Sequence, residues 1–167
     1  MGEGKEYCGI GFVIAHEISH AFDTNGAQYD KNGNLANWWT EEDKETFGKL
    51  ANHVIEYYDK MGERFACVNG TQTVMENIAD LGAMSAVTEL AKKEKLDLKN
   101  LQTAYAKCWA ELIRPEYAAQ LYLSDTHAPK ILRVNAVLSA ADAFYETFEV
   151  KEGDGMYVAP EERPRIW

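Results

Sequence analysis

The stretch GFVIAHEISHAFDTNG carries histidines at positions 16 and 20 and a glutamate at 17. On a helix of about 3.6 residues per turn the two imidazoles stand one above the other, so both can reach a single cation. Asp23, three residues past His20, continues that face. Glu17 is too close in sequence to be the easiest third ligand but is well placed to contact a water held by the metal. The pattern HExxH therefore has a mechanism: two neutral imidazoles bind zinc, and the glutamate takes the proton from a water that zinc has acidified. Two exposed histidines on an amphipathic helix would leave the same trace. That reading does not account for Val13, Ile14 and Phe22, which make the segment too apolar for a solvated helix. Ile14, Ile18, Ala21 and Phe22 are expected to point away from the histidines and into the core.

A site of this kind needs a third ligand from another element, and TVMENIADLGAM offers Glu76 and, four residues on, Asp80. Both acids sit among Val74, Ile78, Ala79 and Leu81, so their helix face is partly buried, and a buried carboxylate needs a metal or a strong hydrogen-bond partner. Glu76 as ligand meets that need. So does Asp80 accepting from the outer nitrogen of a ligand histidine. Acids favoured by the helix dipole in a first turn would explain Glu76 as well, but Asp80 less so.

These residues must be held by helices. One is expected over 11–23, stopped by Asn25-Gly26, followed by a loop or small hairpin around Asn32-Gly33. Thr40 and Asp43 read as a capping box for a second helix, in which Phe47, Leu50, Val54, Ile55 and Tyr58 recur at helical spacing. Gly62 and Gly70 mark a loop before a third helix over 74–93. Asp97 can cap a fourth containing Leu101, Tyr105, Cys108, Trp109 and Leu112, which Pro115 should kink or end. A short helix to about residue 123, a last one over 130–148 and an irregular tail complete a mainly α chain.

With 167 residues and 46% hydrophobic content, one domain spanning 1–167 is the expectation. The 17 basic and 27 acidic residues leave a formal charge of -10 with no basic stripe, which argues against nucleic acid and anionic membranes as partners. No apolar run approaches the roughly 20 residues that span a bilayer, and MGEGKEYCG has no apolar signal core. A soluble chain is expected, cytoplasmic as given and exported if excised from a longer secreted or membrane-anchored parent. Cys8, Cys67 and Cys108 are far apart and form no CxxC pair, so buried free thiols are expected. His53 reads as structural, and the sequon at Asn69-Gly70-Thr71 as a turn.

Together GFVIAHEISHAFDTNG, VNGTQTVMENIADLG, IRPEYAAQLYLSDTHAPKILRVN and the terminal RIW resemble the C-terminal catalytic part of the neprilysin and endothelin-converting-enzyme family of zinc peptidases. The resemblance implies the helical C-terminal part of a thermolysin-like (gluzincin) catalytic domain. It implies one zinc per chain, held by His16, His20 and Glu76, with Glu17 as general base. Asp80 and Asp23 match the acids that orient the first and second histidine. His127 matches the histidine that stabilises the transition state and Asp125 its partner. Arg133 matches an arginine that grips a peptide carbonyl, and Trp109 a wall of the pocket for the residue after the cut bond. Read without the family, His127 before Ala-Pro is an ordinary loop histidine and Arg133 an ordinary surface arginine.

The implied function is a zinc metalloendopeptidase, or oligopeptidase, cutting on the amino side of hydrophobic residues in a peptide substrate. The alternative is a truncated, non-catalytic zinc-binding remnant with a structural or assembly role. The chain departs from the family in Met75, where a glycine is usual. The resemblance also implies an upstream substrate-binding strand and a roofing helical domain, which are expected to lie outside this stretch. An uncovered apolar surface is therefore expected, met by a homodimer or by association with a missing N-terminal part.

Overall fold

The computed structural model describes residues 7–166, the side chain of residue 8 excepted. Its α-helices are α1 (Phe12–Ser19), α2 (Glu41–Phe65), α3 (Gly70–Lys93), α4 (Leu98–Cys108), α5 (Pro115–Ser124), α6 (Lys130–Ala140) and α7 (Asp142–Phe148). A π-helical turn at Tyr7–Gly11 leads into α1, and a 3-10 turn at His20–Phe22 leaves it. The described residues form no strand. The turn at Asn32-Gly33 closes on a single antiparallel bridge between Tyr29 and Leu35, with Gly33 at φ 78° and the Asp30 carboxylate accepting from the backbone of Asn32 and Asn34. No described helix is long and apolar enough to cross a membrane.

Helix α3 is the axis of the molecule. Val74, Ile78 and Leu81 pack against Val54, Tyr58 and Met61 of α2 and Leu132 and Ala136 of α6. Ala83, Met84, Val87 and Ala91 pack against Phe12 of α1, Leu101 and Tyr105 of α4, and Phe144 of α7. A helix that is apolar on more than one face belongs in the interior. Each fully buried side chain such as Val54, Ile78 or Leu132 contributes roughly 1.5–3 kcal/mol. The carboxylates carried by α3 are drawn inside with it.

Local signals set several helix starts. Thr40 and Asp43 form the expected capping box, and the Asp97 carboxylate accepts from Lys99 and Asn100 at the start of α4. Elsewhere packing overrides the expectation. The loop between the second and third helices is short: α2 runs through Gly62 to Phe65, and α3 begins at Gly70, not at 74. Asn69 caps α3, its Oδ1 accepting from the Gln72 N–H at 3.1 Å, so the sequon is a helix cap. A Cβ on Gly70 would stand 2.5 Å from the Ile55 carbonyl oxygen, so glycine here permits close helix approach.

Helix α4 ends at Cys108, and Pro115 begins α5 at a position where its missing N–H costs nothing. Leu112, expected on the fourth helix, lies fully exposed on the connection that follows it. The single helix expected over 130–148 breaks at Ala141, whose ψ of 121° is extended. Cys67 and Cys108 are exposed rather than buried, and the Cys8 side chain lies outside the described residues. Ile14, Ile18, Ala21 and Phe22 are exposed as well. The buried residues of α1 are Phe12 and His16, because the face turned towards α3 is the one carrying His16. Its aliphatic face looks outward.

Candidate metal centre

Helix α1 supplies His16, the 3-10 turn that leaves it supplies His20, α3 supplies Glu76 and Asp80, and the loop between α5 and α6 supplies Asp125 and His127. The Nε2 atoms of His16 and His20 are 3.1 Å apart, with the rings edge to face. Both nitrogens address one oxygen: Glu76 Oε2 is 3.1 Å from His16 Nε2 and 3.5 Å from His20 Nε2. His127 Nε2 approaches the same oxygen at 3.2 Å.

Each imidazole is held from behind by an aspartate. His16 Nδ1 donates to Asp80 Oδ1 at 2.8 Å, His20 Nδ1 to Asp23 Oδ2 at 2.7 Å, and His127 Nδ1 to Asp125 Oδ1 at 2.9 Å. With its Nδ1 proton committed, each neutral ring presents a lone pair at Nε2. Glu76 Oε2 is buried and accepts no hydrogen bond. Lone pairs converging on an unpartnered anionic oxygen repel one another unless a cation lies among them. This donor set fits a divalent metal ion, which His16, His20 and Glu76 could hold. His127 also lies within reach, since His16, Glu76 and His127 offer ligand atoms within 4.8 Å of one another. The close Nε2 pair of His16 and His20 favours His20 as the second nitrogen, while His127 comes from a loop with its side chain 40% exposed.

Asp80 does more than orient His16. It is 1% exposed and takes a two-pronged ion pair from Arg133, with Nε on Oδ2 at 2.8 Å and Nη2 on Oδ1 at 2.7 Å. Burial pulls the His16 imidazole down, but the Asp80 hydrogen bond and charge outweigh it and hold its pKa above 6.5. For Arg133 burial is likewise outweighed by Asp80, and its pKa is raised. The guanidinium lies 4.0 Å over the Trp109 ring, and its bonds to Asp80 use Nε and Nη2, with Nη1 outside that fork. Glu17 is exposed beside the histidines.

Two supports were not read from the sequence. Tyr105, expected only as a residue of the fourth helix, donates its hydroxyl to the Arg133 carbonyl at 2.5 Å, and burial raises its pKa well above the ordinary value. Gln72 donates from Nε2 to the Asp125 carbonyl at 2.6 Å. The one trace of Gln72 in the sequence is its place four residues before Glu76.

The model of peptidase family M13 matches residues 2–164. The chain belongs to this family. A neutral endopeptidase of Lactococcus lactis subsp. lactis is 48% identical over 100% of this chain and 27% of its own length. Human neprilysin is 34% identical over 96% of this chain and 24% of its own length. The crystal structure of PepO from Lactobacillus rhamnosis HN001 superposes with a TM-score of 0.92 at 41% identity, covering 100% of this chain and 27% of that one. The zinc metalloprotease Zmp1 of Mycobacterium tuberculosis, solved with an inhibitor, gives a TM-score of 0.89 at 35% identity, covering 99% and 28%. This M13 chain spans about a quarter of the length of these relatives.

Proposed function

We propose that this chain carries the zinc site of a metalloendopeptidase that hydrolyses peptide bonds on the amino side of hydrophobic residues. The observation that carries the reading is the convergence of imidazole lone pairs on Glu76 Oε2, a buried oxygen with no hydrogen bond of its own. Bound by His16, His20 and Glu76, one zinc per chain would supply Lewis acidity towards a water and a peptide carbonyl. Glu17, exposed and without a hydrogen-bond partner among the described residues, accepts the proton of the attacking water and returns it to the leaving amine. His127, in its protonated form and paired with Asp125, donates from Nε2 to the carbonyl oxygen as negative charge develops there. Arg133 keeps Nη1 for a substrate carbonyl while Asp80 fixes the rest of its fork. Trp109, stacked on Arg133, bounds the space beside it and favours an apolar residue after the cut bond.

Ile10, Val13, Ile14 and Ile18 form an exposed apolar stripe around α1. The stripe supports a further part of the reading, that this face is covered by the protein length which the relatives have beyond the match. Metal analysis joined to a peptide-cleavage assay tests the whole. One zinc per chain is expected, with cleavage lost in Glu17→Gln and zinc retained. Hydrolysis unchanged by Glu17→Gln, or no zinc bound, would sink the proposal.

A further inference from the structure

The loop that carries His127 is anchored by packing on one side only. It enters α6 through Ala128, which is 3% exposed, but it leaves α5, none of whose residues is buried. Apart from bonds to the chain neighbours Arg114 and His127, the hydrogen bonds that tie residues 115–126 to the rest of the described molecule both come from Gln72. Its Nε2 donates to the Asp125 carbonyl at 2.6 Å and more weakly to the Tyr122 carbonyl at 3.4 Å. These oxygens lie at the C-terminal end of α5, where the last carbonyls of a helix have no partner within it.

Gln72 stands one turn before Glu76 on α3, so its amide and the glutamate carboxylate share a face. From Gln72 the contacts run in a closed circuit. The fixed Asp125 backbone sets the Asp125 carboxylate, whose Oδ1 accepts from the His127 N–H at 2.9 Å and from the ring Nδ1 at 2.9 Å. The far side of that ring returns to α3, with Nε2 at 3.2 Å from Glu76 Oε2. Both ends of the circuit are fixed on one buried helix, so their separation is set by helix geometry rather than by loop flexibility.

We propose that Gln72 is a positioning residue for His127: its amide ties the His127 loop to the helix that bears the metal-ligand glutamate, and so fixes the distance between the two. The role needs a donor, because the side chain meets two carbonyl oxygens. A glutamate of the same shape would set a carboxylate against both and push the loop away. The catalytic part of this inference rests on the peptidase reading; the anchoring part does not.

The test compares the zinc-loaded chain with Gln72→Ala and Gln72→Glu, reading bound zinc, amide hydrogen exchange at His127, and kcat and KM on a peptide substrate. Both variants are expected to keep one zinc per chain. Exchange at the His127 amide should quicken about tenfold, the size of one ordinary hydrogen bond. The value of kcat should fall about tenfold with KM nearly unchanged, as for an interaction made in the transition state. The isosteric Glu variant should be impaired at least as much as the Ala variant, which a space-filling role would not produce. Unchanged His127 exchange in both variants, or wild-type behaviour of Gln72→Glu, overturns the proposal. A wild-type chain that binds zinc but cuts no peptide would sink the peptidase reading, and the exchange rates would still decide whether Gln72 anchors the loop.

Discussion

Two imidazole–aspartate pairs flank the same glutamate oxygen in different surroundings. His16 and Asp80 are 5% and 1% exposed, and Asp80 also takes both prongs of Arg133. The side chains of His127 and Asp125 are 40% and 33% exposed. A buried carboxylate left unpaired is costly, so Asp80 is saturated by three donors from two elements. At the surface solvent can satisfy the rest, and the Asp125 carboxylate accepts only from the backbone and ring of His127 among the described residues. One chemical motif thus serves two purposes. The interior pair is a fixed frame for the proposed metal ligands, and the outer pair leaves its histidine open to solvent, as the proposed role towards a substrate requires.

The sharpest way to break this contrast is to remove each aspartate. Asp80→Ala leaves the Arg133 cation buried and unpaired, and should cost about 3–5 kcal/mol in urea unfolding. It should also weaken zinc binding about 10–100-fold by chelator competition. An equal loss in Asp125→Ala would erase the distinction, since an exposed pair is expected to contribute no more than about 1 kcal/mol. His127→Ala should have the reverse profile. Turnover should fall about 10²–10³-fold, the scale of a lost donor to developing charge, with the thermal midpoint almost unmoved. If Glu76 is a zinc ligand as proposed, zinc at about 100 times its Kd should add about 2.7 kcal/mol to stability, and Glu76→Gln should cancel most of that gain in calorimetry.

The smallest effect is expected away from the centre. Asp142 lies at the start of α7, where it accepts from Arg163 and Arg165 of the tail. The Arg165 hydrogen bond, helped by Arg163 against some burial, holds its carboxyl below the ordinary 3.8. A depressed folded value means that the contribution is present above 3.8 and is lost as the pH falls through the folded value. An acid titration of stability should therefore show Asp142→Asn less stable than the wild type by under about 1 kcal/mol at neutral pH, the gap closing below about pH 4. A gap that persists into acid would assign the tail to packing alone.

How far the sequence could be read depends on the span of the interaction. Capping of α2 by Thr40 and of α4 by Asp97 involves residues three apart or closer, and both were legible. So was the stacking of His16 on His20, since helix pitch alone sets it. The fate of α1's aliphatic face was not. Ile14 and Ile18 look like core residues in any local window, and only the docking of the His16 side on α3 turns them outward. The breaks at Cys108 and Ala141 were hidden for the same reason, because the chain turns there to follow its neighbours rather than at a local stop signal.

Within the site, residue types and short spacings determined the donor set: HExxH, a glutamate and an aspartate one turn apart, and an aspartate two residues before a histidine. The tertiary structure alone decided what these groups do to one another. The His16–Asp80 bond spans 64 positions, and the Arg133–Asp80 and Gln72–Asp125 contacts span 53 each. Such pairs form only when α1, α3, α6 and the loop after α5 are packed together. The physical reason is that a helix dictates which side chains share a face within a few turns, whereas which face meets which neighbour is settled by burial summed over the whole chain.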